Sequence, residues 1–277
     1  MPEFTGRYYS EGPVCKETSL LREGWLQNGL SLYEVIRVEE GICLFLEDHM
    51  RRLQESLALS GRSFPIAIPG MRRILEGLVR KNGLYNGNIK LTMHFPETAK
   101  PGLYAFFIPH YYPPVSFYQQ GIDTDLFQAV RVNPNVKQLF PEMREKLTAF
   151  ISSRNLYEAL LVNEDGCLTE GSKSNVFFIQ EDSVYTPPGV QVLKGITRNK
   201  VIELCNQLNI KFMEKSISTE ELRSMDAAFL TGTSPKVLPI RQIGNLPFRV
   251  PHPVMNSLMQ AYENLVDGYI QRQRRAV

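Results

Sequence analysis

Cysteine is scarce and scattered in this chain: four in 277 residues, at Cys15, Cys43, Cys167 and Cys205, with no Cys-x-x-Cys pair. That pattern argues against a disulfide framework and a cysteine-based zinc site, and it suits a reducing compartment, so a cytoplasmic location is expected. Histidine is equally sparse, with His49, His94, His110 and His252 dispersed along the chain, and no metal centre is expected. Excess charge is missing too. A formal net charge of +2 offers neither nucleic acid nor an anionic membrane a surface to bind. No run approaches the roughly 18 apolar residues that a membrane span needs. The N-terminus lacks a basic region followed by an apolar core, so no secretion signal is expected. The common catalytic signatures are also absent: there is no G-x-S-x-G elbow, no H-E-x-x-H, no P-loop and no G-x-G-x-x-G. What remains is an ordinary soluble composition, 43% hydrophobic and 22% charged, long enough for one large domain or two modest ones.

Chemistry is written most densely between Glu158 and Ile179. Two apolar runs, Ala159–Val162 and Val176–Ile179, flank the turn-forming Asn163-Glu164-Asp165-Gly166. Asp-Gly between apolar runs predicts a hairpin. The return arm ends in Thr169-Glu170-Gly171, and Ser172, Ser174 and Asn175 then open another strand. A carboxylate between two buried strands needs a cationic or protonated partner, which the adjacent sequence does not supply. The alternative for Glu170 is an edge-strand side chain facing water.

Before this stretch, Tyr33–Val38 alternates, Glu39-Glu40-Gly41 turns and Ile42–Leu46 returns, which predicts a second hairpin. A helix is expected from about Asp48, with Met50, Leu53 and Leu57 on one face and Gly61 able to end it. Its other face carries His49, Arg51 and Arg52. Arginines near a helix start do not complement the helix dipole, so one of them can be aimed at an anion instead. Met71, Ile74, Leu75, Leu78 and Val79 give a second helix closed by Gly83, and strands follow over Asn88–Phe95 and Gly102–Ile108. The prolines between Pro109 and Pro114 break all periodicity, so a boundary is expected near residues 109–120, with domains over 1–116 and 117–277.

The second half opens with a strand near Gly121–Ala129. The irregular Val130–Lys137 segment then leads to a helix bearing Met143, Leu147, Phe150 and Ile151. Lys137 stands at the end of an irregular segment just before a helix, where an amine can be held inward. Later, Gly195-Ile196-Thr197-Arg198 opens a helix, with Thr197 as the expected N-cap and Gly195 allowing close backbone approach. A helix N-terminus of that kind suits a phosphate. A second small-residue turn, Thr231-Gly232-Thr233-Ser234-Pro235, is able to present N–H and O–H groups to an anion. A terminal helix spans residues 252–277.

One buried-carboxylate candidate, one amine, one helix-borne arginine and two anion-cradling turns suit pyridoxal 5'-phosphate. A lysine forms a Schiff base with the aldehyde, a carboxylate keeps the pyridine nitrogen protonated, and cations with helix-end amides hold the phosphate.

With these residues in view, the chain resembles the class IV, fold-type IV pyridoxal-phosphate enzymes: branched-chain aminotransferases, D-amino-acid aminotransferases and aminodeoxychorismate lyases. The resemblance runs from about Tyr33 to Ile240. Its strongest parts are Glu158–Phe177, Thr186-Pro187-Pro188, Lys194–Arg198 and His49–Leu53. It implies an α/β fold of two domains, a smaller N-terminal α/β domain and a larger β-barrel-like domain with helices, assembled as a homodimer. Lys137, 21 residues before Glu158, matches the Schiff-base lysine, and the rival Lys146 lies mid-helix at the wrong distance. Glu170 matches the carboxylate on the pyridine nitrogen, and Arg52 the phosphate-binding arginine. The backbone amides of Ile196 and Thr197 match the phosphate cradle. Thr233 and Ser234 match the turn that touches phosphate and substrate carboxylate, and Tyr33 an aromatic on the substrate side.

The substrate side departs from the family's pattern. Leu139-Phe140-Pro141-Glu142 stands where branched-chain enzymes put a tyrosine. Phe95-Pro96 stands where many relatives have Arg-Gly, which leaves Lys90 and His94 as candidates for the substrate carboxylate. Leu30 and Ser31 replace an Asp-Gly. The expected activity is aminotransfer from a branched-chain or other amino acid to a 2-oxo acid. A lyase releasing pyruvate and a non-catalytic binder of a phosphorylated ligand are the alternatives.

Overall fold

The computed structural model describes residues 4–21, 24–26, 28–65, 67–130, 134–137 and 141–275. The chain divides into two compact units, Met1–Tyr111 with Val136–Leu139 and Val266–Val277, and Tyr112–Asn135 with Phe140–Leu265.

The first unit holds an antiparallel sheet of β1 (Tyr8–Glu11), β2 (Val14–Glu17), β3 (Leu30–Glu39), β4 (Ile42–Cys43), β5 (Gly87–Phe95) and β6 (Gly102–Ile108), in the order β2-β1-β6-β5-β3-β4. Helices α1 (Leu46–Leu59) and α2 (Ile68–Asn82) cover one face. Alternation decides which side chains meet them: Leu32, Ile36 and Val38 of β3 and Ile89, Leu91 and Met93 of β5 join Met50, Leu53, Leu75 and Leu78 in one buried core. Ser31, Tyr33 and Val35 therefore belong to the opposite face.

The return arm after Gly41 is shorter than its apolar run suggests. Strand β4 stops at Cys43, because Phe45 adopts a left-handed conformation (φ 50°) and Leu46 is already helical. Both are buried, so the same side chains that read as strand are used to seat a helix start. That start has no side-chain cap from its own N-cap residue; the Leu46 N–H donates instead to the Tyr269 hydroxyl at 3.2 Å. Helix α2 ends as expected at Gly83 (φ 65°).

The second unit adds α3 (Val115–Gln120), β7 (Ile122–Gln128), α4 (Pro141–Ser153), β8 (Glu158–Val162), β9 (Cys167–Gly171), β10 (Asn175–Gln180) and β11 (Ser183–Thr186). Beyond these come α5 (Ile196–Gln207), β12 (Lys211–Glu214), β13 (Ile217–Ser218), β14 (Ala227–Gly232), β15 (Lys236–Ile243), β16 (Leu246–Pro247) and the start of α6 (Pro253–Arg275), whose residues from Val266 onward are counted with the first unit. The strands form one ten-stranded mixed sheet in the order β12-β11-β10-β14-β15-β7-β8-β9-β13, with β16 on β15. Leu160, Val162, Val176, Phe178, Leu230 and Leu238 fill one side, while Ala159 and Leu161 pack against Leu147 of α4 on the other. Burial on both faces explains why β8 and β10 read as continuous apolar runs rather than alternating ones. Helix α3 was not foreseen: six residues bounded by Pro114 and Gly121 are too few to show a helical period.

Candidate active site

In the first unit, Glu34 lies in the otherwise apolar row of Leu32 and Ile36 and is fully buried. It is met there by two side chains three residues apart on one face of α1. Arg52 Nε donates to Glu34 Oε1 at 2.8 Å, and Arg52 Nη2 donates to Oε2. His49 Nδ1 lies 2.7 Å from Oε2. Burial pushes the Glu34 carboxyl up, but the charge and hydrogen bonds of Arg52, joined by His49, outweigh it and bring it down to about 2. Burial also lowers the His49 pKa against the pull of Glu34, and the charges of Arg52 and Lys137 add to that lowering. A neutral His49 facing a carboxylate keeps its proton on Nδ1 and donates it. Arg51, the neighbouring arginine, is exposed and pairs with Asp48 at 2.9 Å.

The second feature of this unit is the edge of β3. Strand β4 pairs only with Val38 and Glu39, and further along that strand the Tyr33 N–H donates to the Lys137 carbonyl at 3.2 Å. Val136 is buried in the same core as α1 and α2, so the short Val136–Lys137 segment is anchored on both sides of its amide. The Lys137 ammonium lies 5.3 Å from the centre of the Tyr33 ring, and that of Lys90 lies 5.2 Å from the same ring. Both are cation–π distances. His94 is buried, with Nδ1 2.8 Å from Ser31 Oγ, its partner across the β3–β5 ladder. Lys137, Tyr33, Lys90 and Arg52 thus belong to one unit. Leu139 and Phe140, the sequence's departure from the family tyrosine, lie outside the described residues.

In the second unit, the Asn163–Gly166 turn joins β8 to β9 as predicted, with Gly166 left-handed (φ 74°). Glu170 near the end of β9 is 3% exposed, which overturns the water-facing alternative. Its Oε2 accepts the Leu193 N–H at 3.1 Å. Behind it, Glu158 is a carboxylate that the sequence reading passed over. Its Oε1 accepts from the Lys173 N–H at 2.5 Å, Ser174 Oγ at 3.0 Å and Ser172 Oγ at 3.3 Å. Burial raises its pKa, and these donors with the Lys173 charge offset only part of the rise. Glu158 thereby ties down the turn that follows Glu170.

The Leu193–Arg198 segment continues from the Glu170 contact. Asn175 Nδ2 donates to the Leu193 carbonyl at 2.8 Å, and a Cβ at Gly195 would fall 2.1 Å from Asn175 Oδ1. The N-cap is Gly195 rather than the expected Thr197, and no side chain caps α5. Thr197 lies inside the first turn, its hydroxyl 3.4 Å from that of Tyr262. The shift follows from space, since only glycine fits against Asn175. Arg198 turns away to hold the Pro187 carbonyl at 3.1 Å and Glu214 at 2.8 Å. Thr231, opposite Asn175 in the β10–β14 pair, buries a hydroxyl with no hydrogen-bond partner among the described residues. Thr233 and Ser234 form the half-buried turn between β14 and β15. The uncapped α5 amides, the glycine-only approach and the orphaned hydroxyl fit an anionic ligand, and the nearby buried acid fits a protonated ring nitrogen. Lys146, by contrast, is exposed on α4. Among the described residues no group of three or more His, Cys, Asp or Glu could hold a metal ion, and no helix is long and apolar enough to cross a membrane.

The chain is similar to known proteins. The chain is 28% identical to the D-alanine aminotransferase of Bacillus licheniformis, over 87% of this chain and 89% of that protein. It is 28% identical to a branched-chain-amino-acid aminotransferase of Pseudomonas aeruginosa, over 88% of this chain and 86% of that protein. Its fold superposes on the branched-chain amino acid aminotransferase from Escherichia coli with a TM-score of 0.83, at 21% identity over 96% of each chain. That is the fold-type IV architecture expected from the sequence. The amino-transferase class IV family matches residues 31–243, more than half the molecule, and the chain belongs to that family.

Proposed function

We propose that the protein is a pyridoxal-phosphate aminotransferase that moves an amino group from a branched-chain or related amino acid to a 2-oxo acid. The observation that carries this reading is the Leu193–Thr197 segment, where one backbone N–H holds the buried Glu170 and the next turn offers uncapped helix amides. An acid for a ring nitrogen and a cradle for a phosphate are built on five consecutive residues. When bound, the cofactor supplies an aldehyde carbon for amine exchange and a ring that withdraws electrons.

The chain's own residues divide the remaining work. Lys137 would hold the aldehyde carbon and then, as a free amine, take the proton from the substrate α-carbon. Glu170 would keep the ring nitrogen protonated. Arg52, the amides of Ile196 and Thr197, and Thr233 would hold the phosphate. Tyr33, Thr233 and Ser234 would line the substrate side. Lys90 is the stronger candidate for a substrate carboxylate because its ammonium lies 5.2 Å from the centre of the Tyr33 ring, the same ring that the Lys137 ammonium approaches at 5.3 Å. His94, whose Nδ1 already meets Ser31, is the weaker one. The reading also includes a homodimer and a cytoplasmic location, to be checked by light scattering and cell fractionation.

The test is a panel of L- and D-amino donors supplied to the yellow holoenzyme, with and without a 2-oxo acid acceptor. The expected result is acceptor-dependent turnover of a branched-chain donor, lost in Lys137→Ala with folding retained. Pyruvate release without an acceptor would replace the aminotransferase with a lyase. A protein that stays colourless after incubation with pyridoxal phosphate would end the reading.

A further inference from the structure

We propose that Glu34 is the positioning residue of the phosphate site: it sets the direction of the Arg52 guanidinium and so governs how strongly the protein prefers a phosphorylated ligand. The proposal rests on the reading of Arg52 given above, and it adds a residue that touches neither substrate nor cofactor.

The geometry is specific. A guanidinium is planar, so fixing its Nε–Nη2 edge fixes where its remaining N–H groups can point. Glu34 takes both positions of that edge, Nε through Oε1 at 2.8 Å and Nη2 through Oε2. His49 reaches the same Oε2 at 2.7 Å, so the carboxylate is itself held from a second direction on α1. All three side chains are buried, at 0%, 3% and 6% exposure for Glu34, His49 and Arg52. Packing therefore leaves little room for another arginine rotamer while Glu34 is in place. A buried ion pair is weak support for stability in itself, and an apolar pair of similar volume often does as well. An acid in the apolar row between Leu32 and Ile36 is better explained by orientation than by stability. With the carboxyl brought down to about 2 by Arg52 and His49, this hold persists through the neutral and mildly acid range.

The arrangement has a chemical consequence. The Glu34–Arg52 pair is neutral as a unit, so Arg52 offers a phosphate directed N–H groups rather than a net positive charge. Phosphate preference should then depend on geometry, and Glu34 should matter to it nearly as much as Arg52 does.

The experiment compares the affinity of the apoprotein for pyridoxal phosphate with its affinity for pyridoxal, which lacks the phosphate, by absorbance titration. Wild type, Glu34→Gln, Arg52→Gln and the double variant are measured, each with a thermal melt. Arg52→Gln is expected to lose about tenfold or more of the phosphate preference, the scale of one charge-assisted hydrogen bond. Glu34→Gln is expected to lose several-fold while leaving pyridoxal affinity unchanged, and the double variant should match Arg52→Gln alone. Thermal stabilisation of the apoprotein by inorganic phosphate should fall in the same order, which gives a readout independent of turnover. If Arg52→Gln loses the preference and Glu34→Gln keeps it, Glu34 is only structural and the proposal is overturned. If Arg52→Gln keeps the preference, the assignment of Arg52 to the phosphate fails first, and with it the proposal. Glu34→Gln preserves shape and one acceptor oxygen, so it remains informative even where Glu34→Ala does not fold.

Discussion

Two buried carboxylates, one in each unit, have opposite titration behaviour. Glu34 in β3 faces a guanidinium and an imidazole, and its pKa is brought down to about 2. Glu158 in β8 faces two hydroxyls and a backbone N–H, and its pKa is raised. Burial opposes the charged form at both sites, so burial does not account for the difference. A full positive charge at hydrogen-bond distance overcomes desolvation, whereas neutral donors together with the Lys173 charge do so only in part. The first arrangement suits a residue that must stay ionised to aim a cation. The second suits one that ties down a turn.

Removing each acid should separate these roles. Glu34→Ala leaves Arg52 buried beside no anion, an expected loss of about 3–5 kcal/mol and on the order of 10 °C in Tm. Calorimetry against wild type checks it, and a loss no larger than that of Glu158→Ala would break the contrast.

Acid pH probes the same pair. The folded-state pKa of Glu34 lies below its ordinary value of 4.5, so its stabilisation is present above pH 4.5 and lost as pH falls toward about 2. His49 acts in the same sense, since its pKa is also lowered and its protonation below about pH 6.5 favours unfolding. Glu158 has the opposite sign: its raised pKa makes its contribution greatest at low pH, and it fades as pH rises through the folded value. The stability gap between wild type and Glu34→Gln, roughly 3 kcal/mol at neutral pH, should therefore close between pH 4.5 and 2. Denaturant melts at several pH values would show whether it does.

Smaller effects sharpen the Glu158 side. A Cβ at Gly171 would lie 2.3 Å from Ser174 Oγ and 2.6 Å from Glu158 Oε1, so Gly171→Ala should cost about 1–3 kcal/mol by overpacking. Glu158→Gln should cost under about 1 kcal/mol, because all three donors converge on one oxygen that an amide also supplies. Urea midpoints of the two variants, measured side by side, would reverse this order only if the charge on Glu158 matters to the turn.

Local signals in the sequence were dependable where local physics decides. Gly83 ends α2, Asp165-Gly166 turns β8 into β9, and the apolar runs of β5, β6, β8 and β10 are strands. Misses came where distant residues decide. Phe45 and Leu46 read as a strand but seat α1, and Thr197 reads as an N-cap until Asn175 restricts position 195 to glycine. Glu34 stands apart only weakly in the sequence, because its partners are on a helix 15 and 18 residues further on. A charged residue within a row of alternating apolar ones was the available signal. Motif resemblance pointed to Lys137, Glu170 and Arg52 before any packing was known, because cofactor chemistry restricts residue type more tightly than folding does.

The most direct measurement is to reduce the holoenzyme with borohydride, digest it and locate the phosphopyridoxyl group by mass spectrometry. The account expects one such group per chain, on the peptide containing Lys137. A label on Lys146 or another lysine, or no label at all, would contradict it.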